Sequence, residues 1–194
     1  MKEVFFVTGC IASGKSNFIK SVQKMGFDTI SADEIAHQIL AQNALKIAQL
    51  LDDCSFLKDE NIDRKALGKI VFKDKTARKK LENFMHPQIY ERIKKQISSS
   101  KSPVFVELPL FFESKNYQNL GKSLLIYAPK SLCLKRLMKR NDLSQKEANL
   151  RLDAQMDIEE KRQLADFIIE NTGSLDEFEK KCEQFLMNLS KNSF

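Results

Sequence analysis

The sequence has few of the features that mark metal-binding, disulfide-bonded or membrane-spanning proteins. Only two histidines accompany four scattered cysteines without a CxxC pair, which argues against a zinc site and a disulfide framework. No apolar run approaches the ~18 to 20 residues needed to span a bilayer. The opening segment contains Glu3 and has the form of neither a signal peptide nor an anchor. We therefore expect a folded cytoplasmic protein with reduced thiols and no membrane partner.

Length and charge set broad bounds on the partners of the chain. A chain of 194 residues with 42% hydrophobic content supports one main core with small insertions. The formal net charge of +6 favours anionic partners, although surplus lysine is also typical of a solvated surface. Because an RNA-binding aromatic signature is absent, we expect no nucleic-acid partner. We also expect a monomer or a weak homo-oligomer.

Strand and helix patterns alternate along the chain. Apolar, β-branched and aromatic runs predict five strands, at Glu3 to Thr8, Phe27 to Ser31, Val104 to Leu110, Ser123 to Tyr127 and Phe167 to Glu170. Between these runs, apolar residues recur at the intervals of a helix. Such alternation predicts a parallel sheet with helices on both faces.

Two helical insertions are predicted within this alternation, at residues 34–101 and 130–164. Residues 34–101 are more than one crossover helix needs, and their apolar positions recur at helical intervals. Serine and glutamate stand at capping-box spacing in two places, Ser144 with Glu147 and Ser174 with Glu177. The second pair predicts a last helix that ends near Leu189. We expect a single domain over residues 1–194 that carries both insertions.

Residues 9–16, Gly9-Cys10-Ile11-Ala12-Ser13-Gly14-Lys15-Ser16, match GxxxxGK[ST] between a predicted strand and a predicted helix. This context predicts a loop whose main-chain amides bind nucleotide phosphates. Lys15 would reach the β and γ phosphates, and the Ser16 hydroxyl would bind a bridging Mg²⁺ ion. The predicted fold class is therefore α/β, a three-layer P-loop nucleoside triphosphate hydrolase-like fold. Cys10 is interpreted as a small loop residue and not as a catalytic thiol.

GTPase switches, motor ATPases and small-molecule kinases all use such a loop. No NKxD tetrapeptide occurs, which disfavours a guanine-specific switch. Asp33 follows the second predicted strand, at the carboxyl edge where open α/β sheets bind ligands. If the first two strands flank a common cleft, its carboxylate would lie near the γ-phosphate and orient an attacking hydroxyl. The alternative is that Asp33 caps a helix.

Other side chains are candidates for substrate or charge contacts, each with a simpler alternative. Arg136 and Arg140 lie four residues apart on a predicted helix, either as part of a lid or on a solvated basic face. With them we expect Arg151 and Arg162 to close over the nucleotide. Glu107 would hold a Mg²⁺-bound water or pair with a lysine. The remaining candidates are Thr8, which is otherwise an ordinary strand end, and His86, which is otherwise a packed or capping residue.

The chain resembles the dephospho-CoA kinase family from Thr8 to Gly173. Ser31-Ala32-Asp33-Glu34-Ile35-Ala36 is similar to DADxIA, and Pro109-Leu110-Phe111-Phe112-Glu113 is similar to PLLFE. The other matching segments are Ile62-Asp63-Arg64 with Ala66-Leu67-Gly68 and Val71-Phe72, Leu81-Glu82 with His86-Pro87, Arg136-Leu137 with Arg140, Arg151 with Gln155, and Ala165-Asp166 with Asn171 and Gly173.

The resemblance implies transfer of the ATP γ-phosphoryl group to the ribose 3′-hydroxyl of dephospho-CoA, with Mg²⁺. It implies that Asp33 is the base, that Lys15 and Arg140 stabilise charge, and that Asn171 lies near the adenine. The implied nucleotide-binding residues are Gly9, Ala12, Ser13, Gly14, Lys15, Ser16, Asn17 and Asn171. The implied substrate-binding residues are Thr8, Asp33, Arg64, His86 and Gln155, and the implied metal-binding residues are Ser16 and Glu107. The first insertion would bind the CoA substrate, and the second would form the lid.

The chain departs from the family pattern inside the loop. Cys10 and Ala12 stand where glycines are common, Asn17 stands where threonine is typical, and Ser31 replaces an aspartate. We expect Ala12 to occupy a right-handed helical conformation that tolerates its methyl group. Two rival functions stay open: another small-molecule P-loop kinase, and a nucleotide-dependent nucleic-acid-binding protein.

Overall fold

The computed structural model describes residues 3–100, 103–114 and 116–192, without the side chains of residues 190–192. The predicted first insertion ends at residue 101, which lies outside these ranges. Within them, no helix is both long enough and apolar enough to cross a membrane.

A five-stranded parallel sheet forms the centre of the fold, which confirms the predicted fold class. Its strands are β1 (Val4–Thr8), β2 (Asp28–Ser31), β5 (Val104–Glu107), β6 (Lys122–Tyr127) and β7 (Phe167–Glu170). Their order across the sheet is β2-β5-β1-β6-β7. The central strand β1 is buried along its whole length, as expected for a strand covered on both faces. The strands β1 and β2 are not neighbours, because β5 lies between them.

The helices are α1 (Lys15–Lys24), α2 (Ala32–Gln42), α3 (Ala44–Leu51), α4 (Arg64–Lys73), α5 (Lys75–Ser99), α6 (Lys130–Asn141), α7 (Gln145–Asp153), α8 (Ile158–Leu164) and α9 (Leu175–Asn192). Both predicted capping boxes are confirmed. The Ser144 hydroxyl accepts from the amide of Glu147, whose carboxylate accepts from the amide of Ser144. Ser174 and Glu177 exchange the same two bonds before α9. Each box satisfies amides that the first helical turn leaves unpaired.

Two hydrophobic clusters fix helices against opposite faces of the sheet. Alternate strand residues face opposite sides, so Phe5 and Val7 pack with Phe18 of α1 and Phe178 of α9. The other cluster joins Leu125 and Tyr127 of β6 to α6, α7 and α8, through Cys133, Leu137, Ala148, Leu152 and Ile158. The loop after β1 is thereby held between rigid layers.

The chain divides into two compact units. One contains the described residues up to Ile30 and from Ser99 onward, and the other is Ser31–Ser98. The second unit contains α2 to α4, most of α5, and a hairpin of β3 (Leu57–Lys58) and β4 (Asn61–Ile62).

The hairpin is a correction to the purely helical insertion that the sequence predicted. Its turn residues Asp59 and Glu60 have φ of 47° and 62°, the left-handed conformations of a two-residue hairpin turn. The pair lacks the glycine that marks such turns. Asp63 follows, caps α4 and pairs with Lys58 at 2.7 Å. The hydrogen bond from Lys58 lowers the pKa of Asp63 to about 2.

One strand prediction was too long. The run Val104 to Leu110 is a strand only as far as Glu107. Pro109 has no amide hydrogen to donate to a sheet ladder. The residues that follow turn back as Phe111 donates its amide to the carbonyl of Leu108.

Candidate active site

The loop between β1 and α1 has the backbone geometry of an anion site. Gly9 has a φ of 149° and Gly14 a φ of 109°, both in the region that favours glycine. A β-carbon on Gly9 would lie 2.6 Å from the carbonyl oxygen of Ile126. One on Gly14, the N-cap of α1, would overlap the side-chain amide nitrogen of Asn171. Both glycines are therefore required by the loop, which directs the positive end of α1 toward its interior.

Ala12 corrects an expectation about the same loop. Its φ is 65°, in the left-handed region, and not in the right-handed helical region expected from the sequence. A β-carbon in that region approaches the following carbonyl oxygen, at a cost of roughly 1–2 kcal/mol for an L-residue. The loop therefore contains an alanine in a strained left-handed conformation.

Lys15 is held inside the loop. Its Nζ donates to the carbonyl oxygens of Gly9 and Cys10, each at 3.0 Å. Burial lowers the pKa of Lys15, and the negative charge of Glu107 opposes that shift. A bound polyphosphate would supply the counter-charge that burial otherwise denies the ammonium group.

Asn171 connects the end of β7 to the loop. Its Nδ2 donates 2.7 Å to the carbonyl oxygen of Ser13, and its Oδ1 accepts 3.2 Å from Nη2 of Arg136. Two buried polar atoms at this junction, Oγ of Ser13 and Nη1 of Arg136, find no hydrogen-bond partner among the described residues. Buried polar groups are rarely left unpaired, and an anion in the loop would give the Arg136 donor a partner. The sequence had assigned Arg136 to a lid or to a solvated basic face, and neither predicts this contact with Asn171.

Two oxygen groups are candidates for a magnesium site. Ser16 lies in the first turn of α1, is exposed, and has no side-chain hydrogen bond within the described ranges. Glu107 ends β5 directly beside Val7 of β1, and its charge acts on Lys15. The described residues contain no group of three or more His, Cys, Asp and Glu side chains that would hold a metal. Mg²⁺ typically takes one or two protein ligands together with phosphates and waters, so this donor set fits it.

A buried lysine, Lys161, which the sequence did not single out, binds the segment that follows β5. Lys161 of α8 has a fully buried side chain, and its Nζ lies 2.8 Å from Oε1 of Glu113 and 3.1 Å from the carbonyl oxygen of Pro109. Thr8 donates its hydroxyl to the same carbonyl at 3.0 Å. Glu113 also accepts the amide of Met156. The network ties the end of β1 to α8, and it engages the Thr8 hydroxyl that was predicted to contact substrate.

Three other predicted residues of this unit, Gln155, Arg140 and Arg162, differ in what they contact. Gln155 accepts the amide of Ile11 through Oε1 at 2.9 Å, and so contacts the loop itself. Arg140 is exposed on α6 and donates to Asn141. Arg162 pairs with Glu170 at 2.9 Å and stacks 4.5 Å from the ring centre of Tyr127. Its guanidinium is thus engaged by protein groups, and closure over the nucleotide stays a prediction.

Three predicted residues belong to the second unit. Asp33 is the second residue of α2 and exposed, and its carboxylate has no hydrogen bond or ion pair within the described ranges. The cap of α2 is Ser31, whose hydroxyl accepts from Glu34, so the alternative that Asp33 caps the helix is wrong. Arg64 bonds His37 at 2.8 Å. His86 is exposed within α5, so it is neither packed nor capping.

A phosphate-binding loop after the central strand of a five-stranded parallel sheet defines the class of P-loop nucleotide-binding proteins. A family model described as dephospho-CoA kinase matches residues 4–177. The chain belongs to the dephospho-CoA kinase family, as its sequence segments predicted.

Individual relatives agree with this assignment. A dephospho-CoA kinase of Campylobacter jejuni (strain RM1221) is 49% identical over 198 residues, which cover 98% of both chains. The solved dephospho-CoA kinase from Campylobacter jejuni matches with a TM-score of 0.82 at 49% identity and full coverage of both chains. TT1252 from Thermus thermophilus matches with a TM-score of 0.84 at 32% identity, covering 97% of this chain and 98% of its own.

Proposed function

We propose that the chain transfers the γ-phosphoryl group of ATP to the ribose 3′-hydroxyl of dephospho-CoA, giving CoA and ADP, the last step of CoA synthesis. Family membership over residues 4–177 identifies the acceptor. The observation that carries the nucleotide half is the loop, in which Gly9 and Gly14 have positive φ and Lys15 is held at 3.0 Å from two loop carbonyls. From this position the ammonium group of Lys15 can contact the γ-phosphoryl group that is transferred.

The loop and its neighbours have defined roles in this reaction. The main-chain amides and Lys15 hold the β and γ phosphates, and Arg136 adds a donor at the junction with Asn171. Ser16 and Glu107 would hold Mg²⁺, which when bound offsets charge on the two outer phosphates. Arg140, on the same helix as Arg136, stabilises charge on the transferred group. Asn171 contributes to nucleotide binding by fixing Ser13.

The acceptor side rests on Asp33. This carboxylate follows the carboxyl end of β2 by two residues, and ligands of open α/β sheets bind beyond such strand ends. We assign it the role of accepting or orienting the proton of the attacking hydroxyl. Arg64, His86 and the rest of the Ser31–Ser98 unit would bind the CoA portion, while residues 130–164 would form the lid. Thr8 and Gln155 complete the proposed substrate-binding residues; Gln155 also accepts the amide of Ile11, and Thr8 donates to the carbonyl of Pro109.

The cellular setting follows from the same proposal. All four cysteines are free thiols, which fits a reducing compartment such as the cytoplasm. A monomer or a weak homo-oligomer stays a prediction, which sedimentation at several concentrations would test.

The decisive experiment incubates purified protein with MgATP and dephospho-CoA and follows the acceptor by mass spectrometry. We expect the acceptor to gain one phosphoryl group. Asp33→Asn and Lys15→Ala should each lower kcat by about 10²–10³-fold, the effect of losing one acid–base or electrostatic contribution. Glu34→Gln and Lys20→Ala are matched controls, because each alters an exposed charge close by and should leave the rate unchanged.

Each result that contradicts the proposal points to a different part of it. Nucleotide binding without phosphorylated dephospho-CoA would favour another small-molecule kinase, which a panel of hydroxyl acceptors would identify. Turnover that requires DNA or RNA would favour the nucleic-acid rival. A wild-type rate in Asp33→Asn would remove only the assignment of the base.

A further inference from the structure

Two cysteines that lie far apart in the sequence meet beside the phosphate-binding loop. Cys10 belongs to the loop, Cys133 lies on α6, and their sulfur atoms are 2.8 Å apart. Both side chains are buried, and both are free thiols. The contact lies within one compact unit, so it does not depend on how the two units are arranged.

The two thiols are electrostatically unequal. The hydrogen bond from Cys133 lowers the pKa of Cys10 against the opposing effect of burial, and the charges of Lys15 and Lys161 act in the same direction. The same hydrogen bond, together with burial, raises the pKa of Cys133. Since the thiolate is the nucleophile in thiol chemistry, Cys10 is the member of the pair that reacts first with an oxidant. Cys133 is the neighbour that resolves the product.

A cavity beside Cys10 has room for a small oxidant. A cavity of about 170 Å³ is lined by Cys10, Gln155 and Ile158, with Lys130, Asp153 and Asp157 among its polar walls. A water molecule takes up ~30 Å³ of liquid volume, so the cavity is large enough for hydrogen peroxide.

We propose that Cys10 and Cys133 form a reversible oxidation site that takes hydrogen peroxide and controls the phosphate-binding loop. The Cys10 thiolate attacks one peroxide oxygen, the O–O bond breaks, and the departing hydroxide takes up a proton to leave as water. The resulting sulfenic acid on Cys10 is then attacked by the sulfur of Cys133. An S–S bond forms, the S–O bond breaks, and a second water leaves with the proton of Cys133. A dithiol reductant returns both thiols.

The disulfide would act on the loop through Cys10. The carbonyl of Cys10 accepts both Nζ of Lys15 and the amide of Ser13, so its position sets two of the groups that grip phosphate. A disulfide restricts the Cα–Cα distance to about 4.4–6.8 Å and fixes the S–S torsion. The cross-link would therefore fasten the loop to α6, the helix that also carries Arg136, and restrict adjustment to the nucleotide. This consequence rests on the proposed function, whereas formation of the disulfide does not.

The test uses the full chain carrying Cys54→Ser, which removes the exposed thiol. After graded hydrogen peroxide, intact-mass measurement should show the loss of two hydrogens, and peptide mapping should join Cys10 to Cys133. Calorimetry should then show MgATP affinity lowered by at least about tenfold, with recovery after dithiothreitol. The mass and mapping results are independent of kinase activity.

Cys133→Ala in the same background should form no cross-link and should stop at the Cys10 sulfenic acid, with a smaller dithiothreitol-reversible loss of affinity than the parent. Cys182→Ala, which removes another buried thiol, should behave as the parent. The proposal fails if the parent forms no such disulfide, or if the disulfide forms and affinity is unchanged. It also fails if Cys133→Ala shows the same reversible loss. Absence of ATP binding before oxidation would instead contradict the proposed function.

Discussion

The side-chain amide of Asn171 donates a 2.7 Å hydrogen bond to the main-chain carbonyl of Ser13 in the phosphate-binding loop, although the two residues are 158 positions apart. The amide lies so close to Gly14 that a β-carbon there would overlap it. Arg136 donates to the other end of the same side chain. Asn171 therefore sets the position of the loop relative to β7 and α6, and this makes the junction open to mutational tests.

Asn171→Ala should weaken nucleotide binding and destabilise the fold together. The substitution leaves the Ser13 carbonyl without its side-chain donor, and an unpaired buried polar group costs about 1–3 kcal/mol. Calorimetry with MgATP and urea unfolding would measure the two effects. Asn188→Ala, on an exposed position of α9, is the control and should change neither. Unaltered ATP affinity in Asn171→Ala would show that the loop does not depend on this bond.

Gly14→Ala should abolish nucleotide binding. The added methyl group would overlap Asn171, and its residue would have to adopt a φ of 109°, so the loop must distort. The measurement is MgATP binding together with circular dichroism. Gly68→Ala is the matched control: Gly68 lies in α4 with open space around its Cα, and alanine there should stabilise the helix by up to ~1 kcal/mol. Normal ATP affinity in Gly14→Ala would contradict the described loop geometry.

Ala12→Gly should raise the free energy of unfolding. Ala12 has a φ of 65°, so glycine relieves a strain of roughly 1–2 kcal/mol but adds chain entropy worth about 0.5–1 kcal/mol in the unfolded state. A net gain of about 0.8 kcal/mol, the middle of a range of about 0–1.5 kcal/mol, is expected from urea unfolding. Ala66→Gly, within α4, should have the opposite sign. Equal destabilisation by both substitutions would contradict the left-handed assignment of Ala12.

Removing one partner of the Lys161–Glu113 pair should lower the free energy of unfolding by an amount that depends on which partner is removed. Glu113→Leu leaves a fully buried ammonium group with only the Pro109 carbonyl, and an uncompensated buried charge costs about 3–5 kcal/mol. Lys161→Met should cost less, because the side chain of Glu113 is 24% exposed. The double variant should lose less than the sum of the two single variants. Lys130→Met, which breaks an exposed pair with Asp153, should cost under ~1 kcal/mol. Strict additivity in urea unfolding would show that the pair is not coupled.

Local patterns were sufficient for much of this protein. The strand-loop-helix order around residues 9–16 and both capping boxes follow from short-range spacing, because turn, cap and period rules depend on neighbouring residues. The Asp59-Glu60 hairpin was missed because its turn lacks glycine. The left-handed conformation of Ala12 was missed because the identity of a side chain does not report the φ that a loop imposes on it.

The sequence by itself determined the class of fold, the position of the phosphate loop and the family. Each of these depends on short segments in which the spacing of residue types predicts the local structure. Only the tertiary structure decided that Asn171 holds Ser13, that Lys161 is buried against Glu113, and that Cys10 meets Cys133. The partners in each pair lie between 48 and 158 positions apart in the sequence. Local periodicity cannot predict contacts over such separations. Their meeting depends on the order of strands in the sheet and on which helix covers which face.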